Sequence, residues 1–163
     1  MHRRLLTVVI LFVICASGAQ AMFFALGPML GVPVGLSAKL FTKPSFALDA
    51  GLGYSWWHDS SLQVHGDLVF HTVNLTKSKR DDGAMAFYIG LGAQARMAGD
   101  PKNAVMRAAL RMPLGIEYIF PNAPVSLYAE AVPQFNLGTT DQYFAGDAVF
   151  GFRYWWAAGS SNW

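Results

Sequence analysis

Hydrophobic and polar residues alternate with a period of two along most of the chain after residue 21. Over 107–120 the even positions read Ala108, Leu110, Met112, Leu114, Ile116, Tyr118 and Phe120, and the odd positions Arg107, Ala109, Arg111, Pro113, Gly115, Glu117 and Ile119. Successive side chains of an extended chain leave on opposite sides, so the two sets form the two faces of one strand. The same division recurs at 46–57, 62–71, 86–97, 125–136 and 147–156, with shorter versions at 22–31 and 34–42, which predicts eight strands. Residues that favour turns or break pairing separate them, among them Gly31-Val32-Pro33, Lys43-Pro44-Ser45, His58-Asp59-Ser60, Asp81-Asp82-Gly83, Asp100-Pro101 and Pro121-Asn122-Ala123-Pro124. No apolar run after residue 21 reaches the roughly 20 residues that a spanning helix requires.

The two faces differ sharply in chemistry. On the apolar face of the six clearer strands, 33 of 35 residues are hydrophobic and none is charged. The opposite face carries nine charges (Asp49, Asp67, Arg96, Arg107, Arg111, Glu117, Glu130, Asp147, Arg153) and six glycines (Gly51, Gly53, Gly90, Gly92, Gly115, Gly151). A soluble eight-stranded barrel with its apolar set inside would show the same parity, so side-chain size has to separate the two cases. Glycines suit a crowded lumen, whereas a sheet face turned to water carries long polar side chains. Leu52, Phe70, Leu91, Ile116 and Phe152 would overfill a narrow interior but suit lipid. Strands of about 10 to 12 residues also match the tilted crossing of a hydrocarbon layer. The expectation is an all-β fold, an eight-stranded antiparallel up-and-down transmembrane β-barrel spanning 22–156, with 157–163 as a short tail.

Composition agrees with a non-aqueous surrounding. Of 163 residues, 53% are hydrophobic and only 13% charged, against about 25% charged in ordinary soluble domains. The amino terminus reads as a secretory signal peptide over 1–21: Arg3 and Arg4 precede an apolar run at 5–14, and Ala19-Gln20-Ala21 offers the small residues of a cleavage site. Removing it takes away Cys15, the single cysteine, which excludes disulfide and thiol chemistry. It also reduces twelve basic residues to ten, equal to the ten acidic ones, so a nucleic-acid partner is disfavoured.

Aromatic residues gather at the strand ends, as they do at bilayer interfaces. With both termini periplasmic, one rim collects Phe24, Phe41, Phe46, Phe70, Phe87, Tyr118, Phe120, Tyr154 and Trp156, and the other Tyr54, Trp56, Phe135 and Phe144. The last strand, with Phe150, Phe152, Tyr154 and Trp156 on one face, resembles the carboxy-terminal assembly signal of outer-membrane barrels, followed by seven further residues. Three segments carry a wider likeness: Gly31-Val32-Pro33-Val34-Gly35-Leu36-Ser37-Ala38-Lys39, Met112-Pro113-Leu114-Gly115-Ile116-Glu117-Tyr118-Ile119-Phe120-Pro121-Asn122-Ala123-Pro124 leading to Glu130, and Gly151-Phe152-Arg153-Tyr154-Trp155. On these the chain resembles the small eight-stranded outer-membrane barrels of the OmpX and OmpA-transmembrane type, and most of all an uncharacterised bacterial barrel family with the same order of parts. The resemblance implies an integral outer-membrane protein of a diderm bacterium. Its surroundings would be outer-membrane lipid and lipopolysaccharide, and its partner in insertion the outer-membrane assembly machinery. The shared motifs are structural and carry no catalytic residues.

A function would have to reside in the lumen, at the rim or in the loops. Facing inward are Lys39, Asp49, Asp67, Arg96, Arg107, Arg111, Glu117, Glu130, Asp147 and Arg153, joined by Gln63, His65, His71, Tyr88, Tyr128 and Gln134. An eight-stranded barrel is only wide enough for its own side chains, so these residues are expected to pair as a structural plug rather than line a pore. The alternative is a proton relay or small-ligand site around His65, Asp67 and His71. The two histidines lie about 20 Å apart along a strand, too far to share a metal without help from other strands, and no cofactor is expected. Catalysis on lipid A would need a nucleophile and base at the rim, for which His58-Asp59-Ser60-Ser61 is the sole candidate. Adjacent turn residues rarely converge correctly, so an enzyme is disfavoured; a secreted soluble barrel binding a small apolar ligand is the other rival. The predicted outer loops (31–33, 57–61, 98–106, 137–145) are short and offer little surface for a receptor. The longest connection, 72–85, falls on the periplasmic side, where such barrels keep turns short; strands reaching past the bilayer or a periplasmic partner would account for it.

Overall fold

The structure, a computed structural model, describes residues 22–43, 45–56, 60–74, 83–99, 105–138 and 143–158. The expected signal peptide lies outside them. Nine antiparallel strands follow one another: β1 (Met22–Gly31), β2 (Val34–Lys43), β3 (Phe46–Ser55), β4 (Ser61–Asn74), β5 (Ala84–Ala98), β6 (Val105–Arg111), β7 (Leu114–Ile119), β8 (Val125–Leu137) and β9 (Phe144–Ala158). Apart from β6 and β7, each pairs with the next in sequence, and β1 pairs with β9 from Met22↔Ala158 to Gly31↔Val149, which closes the sheet into a ring.

The ninth strand does not widen the barrel. β6 and β7 both lie between β5 and β8, one above the other, and are two halves of the strand expected over 108–120. The break falls at Met112 and Pro113, because proline has no N–H to give the ladder. Flanking bonds hold the gap: Gly90 N–H donates to the Pro113 carbonyl at 2.8 Å and Met112 N–H to that of Pro133 at 3.0 Å. The wall is therefore the expected eight strands, with one of them split. β4 runs to Asn74 and β5 starts at Ala84, so part of the connection expected at 72–85 is paired strand. The turn after β1 passes through Gly31 at a φ of 132°, a region that side-chain-bearing residues avoid.

Burial follows parity. Leu36, Leu68 and Leu91 point outward and are 54%, 61% and 64% exposed. Away from the strand ends, no charged residue shares that outward face among the described residues. The aromatic rims form as contacts: Phe24 stacks on Trp156 with centroids 5.8 Å apart, Phe46 meets Phe70 at 5.0 Å, and Phe135 meets Phe144 at 5.4 Å at the opposite end. Phe41 is a correction. It shares the inward parity of Lys39 and packs against Ala47, Val69 and Tyr88 inside the barrel, its ring 4.8 Å from His71 and 5.5 Å from Trp155.

Candidate functional site: the lumen

The inward glycines are seats for large side chains from the adjacent strand. Gly51 faces His65, Gly115 faces Tyr88, and Gly151 faces Tyr128 in the cross-strand register. A Cβ on Gly115 would stand 2.2 Å from Tyr88 Cζ, and one on Gly51 2.4 Å from His65 Cε1. Glycine lets each ring lie flat across the neighbouring backbone, and this is how large side chains fit within eight strands. The groups so packed form three layers.

The layer nearest the termini is a cluster around two cations. Lys39 Nζ lies 2.6 Å from Glu117 Oε2 and 4.0 Å from Asp49 Oδ2, over the Tyr88 ring at 4.1 Å. Arg153 Nη2 donates to Ser37 Oγ at 2.6 Å and to Asp49 Oδ2 at 2.8 Å, while its guanidinium lies 3.7 Å from the centre of the Tyr128 ring. Ser126 Oγ donates to Glu117 Oε1 at 2.6 Å and accepts from the Trp155 indole at 2.9 Å. His71 Nε2 is 3.5 Å from Lys39 Nζ, and the Tyr88 hydroxyl donates to Glu130 Oε1 at 2.6 Å.

The middle layer is a single pair, Arg111 Nε to Asp67 Oδ1 at 3.2 Å, both side chains almost fully buried. His65 lies over Gly51 beside it, with Nδ1 buried and without a partner. At the loop end a closed hydrogen-bond circuit joins β4, β5, β8 and β9. Arg96 donates to Gln63 at 2.9 Å, Gln63 to Gln94 at 2.8 Å, Gln94 to Gln134 at 2.6 Å and Gln134 to Asp147, which also accepts from Arg96 at 3.3 Å.

The inward residues read from the sequence thus divide. Lys39, Asp49, His71, Glu117, Glu130 and Arg153 meet in one cluster, Asp67 meets Arg111, and Arg96 meets Asp147. His65, Asp67 and His71 do not converge. Arg107 is exposed near the start of β6. Ser60 is exposed and Ser61 buried, while His58 and Asp59 of the rim candidate lie outside the described residues. Ser37, Gln94, Ser126 and Trp155 are members that residue-type reasoning missed, although Ser37, Gln94 and Trp155 share the parity of a charged residue two positions away (Lys39, Arg96 and Arg153), and Ser126 that of Glu130 four positions on.

The architecture has a known counterpart. The chain is similar to the N-terminal β-barrel domain of Pseudomonas aeruginosa OprF, with a TM-score of 0.59 and 13% sequence identity over 85% of this chain and 98% of that one. At that identity the likeness is one of fold: a small closed β-barrel. No protein-family model and no curated protein matches the sequence. The expectation of a small barrel is met at the level of fold, and the finer likeness to OmpX-type barrels has no further support from these matches.

Proposed function

We propose that the protein is an integral β-barrel of a bacterial outer membrane, with a structural or surface-interaction role and a lumen closed by its own side chains. The observation that carries this reading is the inversion of an ordinary soluble fold. Leucine and phenylalanine side chains form a continuous exposed belt, while Lys39, Arg111, Arg153, Asp49, Asp67 and Glu117 are buried inside. A belt of that extent in water is an aggregation surface, and in lipid it is the stable arrangement. The charged interior also speaks against a soluble carrier of an apolar ligand, which would need an apolar cavity. Three layers of mutually bonded side chains favour a plug over a conduit. Outer-membrane lipid, lipopolysaccharide and the assembly machinery are the partners in this reading, and enzymatic turnover on lipid A has no part in it.

The test is cell fractionation with heat-modifiable gel migration. The processed protein should fractionate with the outer membrane and migrate differently before and after boiling. A polypeptide that stays monodisperse in buffer without amphiphile would refute the reading. Altered lipid A masses on overexpression, abolished by His58→Ala, would establish the enzymatic alternative.

A further inference from the structure

The wall of the barrel is not equally tall all the way round. At the loop end β1 stops at Gly31, opposite Val149, whereas β9 begins at Phe144 and so reaches past the β1–β2 hairpin. On the other side of that hairpin β2 starts at Val34, opposite Tyr54, and β3 continues towards Trp56. The turn through Val32 and Pro33 is thus the floor of a notch between β9 and β3, three strand spacings or about 14 Å wide. Val32 N–H donates to the Ala148 carbonyl at 3.0 Å, which seats the floor beside Ala148. Phe144, paired with Phe135 in the outer aromatic rim, lies further out along β9, so the notch opens on the membrane side of that rim.

Two features set the notch apart from the rest of the belt. The first is a bare strand edge. Alternate residues of a strand turn their backbone groups to the same side, and the Ala148 carbonyl points to β1, so the N–H and C=O of Gly146 and Phe144 point there too. Among the described residues none meets them. No side chain covers this edge at Gly146, where even a Cβ would come no closer than 3.9 Å to the Val132 carbonyl oxygen. Unpaired backbone groups are strongly unfavourable in hydrocarbon, so the edge calls for a hydrogen-bonding partner. The second feature is an apolar cleft of about 340 Å³ lined by Gly31, Val32, Tyr54, Ser55 and Trp56. Tyr54 and Trp56 are exposed and continue the outward belt into it.

We propose that the notch binds one acylated lipid of the outer leaflet, with the group that joins chain to head hydrogen-bonded to Gly146 and the chain laid across Val32 into the cleft against Tyr54 and Trp56. The inference rests on the outer-membrane reading above and names the lipid such a barrel selects. An edge of two residues is too short for a strand from a second copy, which docks through a run of ladder bonds. It suits a single polar group. Gly146 offers one donor and one acceptor side by side. The esters of a glycerol phospholipid only accept, whereas an amide-linked, hydroxylated acyl chain of the lipid A kind both donates and accepts. The complementary ligand is therefore lipid A, bound without turnover.

The test is native mass spectrometry of the processed chain refolded in detergent micelles that carry lipid A or, at equal mole fraction, phosphatidylethanolamine. One lipid A should be retained per barrel, about tenfold more than phosphatidylethanolamine, the margin expected of one unmatched backbone group. Gly146→Val fills the notch from its wall and should lower lipid A retention by about tenfold. Trp56→Ala removes the far wall of the cleft and should also lower it, which tests the site even where Gly146→Val fails to fold. Gly66→Val is the matched control, since a Cβ there also meets nothing within 4 Å on the outward face, and it should retain lipid A as wild type does. Equal retention of the two lipids, unchanged retention in both Gly146→Val and Trp56→Ala, an equal loss in Gly66→Val, or a dimer that Gly146→Val separates would each overturn the proposal. A barrel with heat-modifiable migration that retains no lipid A refutes the site alone. A chain that stays monodisperse without amphiphile refutes the outer-membrane reading and the site with it.

Discussion

Gly115→Ala adds one methyl group to a strand whose sequence neighbours are Leu114 and Ile116, and on a two-faced sheet it would ordinarily be harmless. Replacing glycine removes freedom from the unfolded chain and stabilises by about 0.4 to 1 kcal/mol where the backbone tolerates it. Here the new Cβ would stand 2.2 Å from Cζ, 2.4 Å from Oη and 2.6 Å from Cε2 of Tyr88. Carbon atoms pack at about 3.5 to 4.0 Å, so the ring must retreat by more than about 1 Å. It has nowhere to go, being fully buried beneath the Lys39 ammonium and bonded to Glu130 at 2.6 Å. Overpacking of this kind costs about 1 to 3 kcal/mol, and leaving the Glu130 acceptor unmatched costs about 1 to 3 kcal/mol more. Set against the entropic gain, Gly115→Ala should destabilise by about 1 to 5 kcal/mol. Urea unfolding of the refolded barrel measures it, by the fluorescence of its tryptophans. In a Tyr88→Ala background the same substitution should cost nothing. A neutral Gly115→Ala, or a cost that survives the loss of Tyr88, would show that the glycine is not a seat.

Leu91→Arg, on the outward face midway along β5, should cost about 2 to 4 kcal/mol in lipid, whereas Met106→Arg near the loop end of β6 should cost at most about 1 kcal/mol. Equal costs at the two depths in refolding titrations would contradict the membrane reading. Glu117→Leu strands the Lys39 ammonium and should destabilise by about 3 to 5 kcal/mol, with most of the loss recovered by adding Lys39→Met, since an apolar pair replaces a buried ion pair at little cost. Additive losses in the double variant would mean that the two side chains do not interact.

The wall was legible in the sequence because a strand writes its two faces as odd and even positions, and a charge-free face 35 residues deep cannot arise from turns. The split at Pro113 was legible too, from the missing N–H, but the unbroken parity across 108–120 masked it. Phe41 shows where residue type misleads: aromatic character suggested the rim, while its odd number beside Lys39 already placed it inside. Which charges meet was not readable. Lys39 and Glu117 are 78 residues apart, Arg153 and Ser37 116, and their contact depends on ring closure and on the stagger of all eight strands. The glycine seats sit between the two cases, since the small residues were visible and the rings above them were not.

The circuit at the loop end has a direction. A guanidinium can only give hydrogen bonds and a carboxylate can only receive them, while an amide does one at each end. With Arg96 at the start and Asp147 at the finish, Gln63, Gln94 and Gln134 are all forced to point the same way. Turning any one of them through half a revolution leaves its shape unaltered, yet sets oxygen against oxygen and NH2 against NH2. The two ionic residues thus polarise three neutral dipoles head to tail across the mouth of the barrel, and exchanging Arg96 with Asp147 would demand that the whole row reverse.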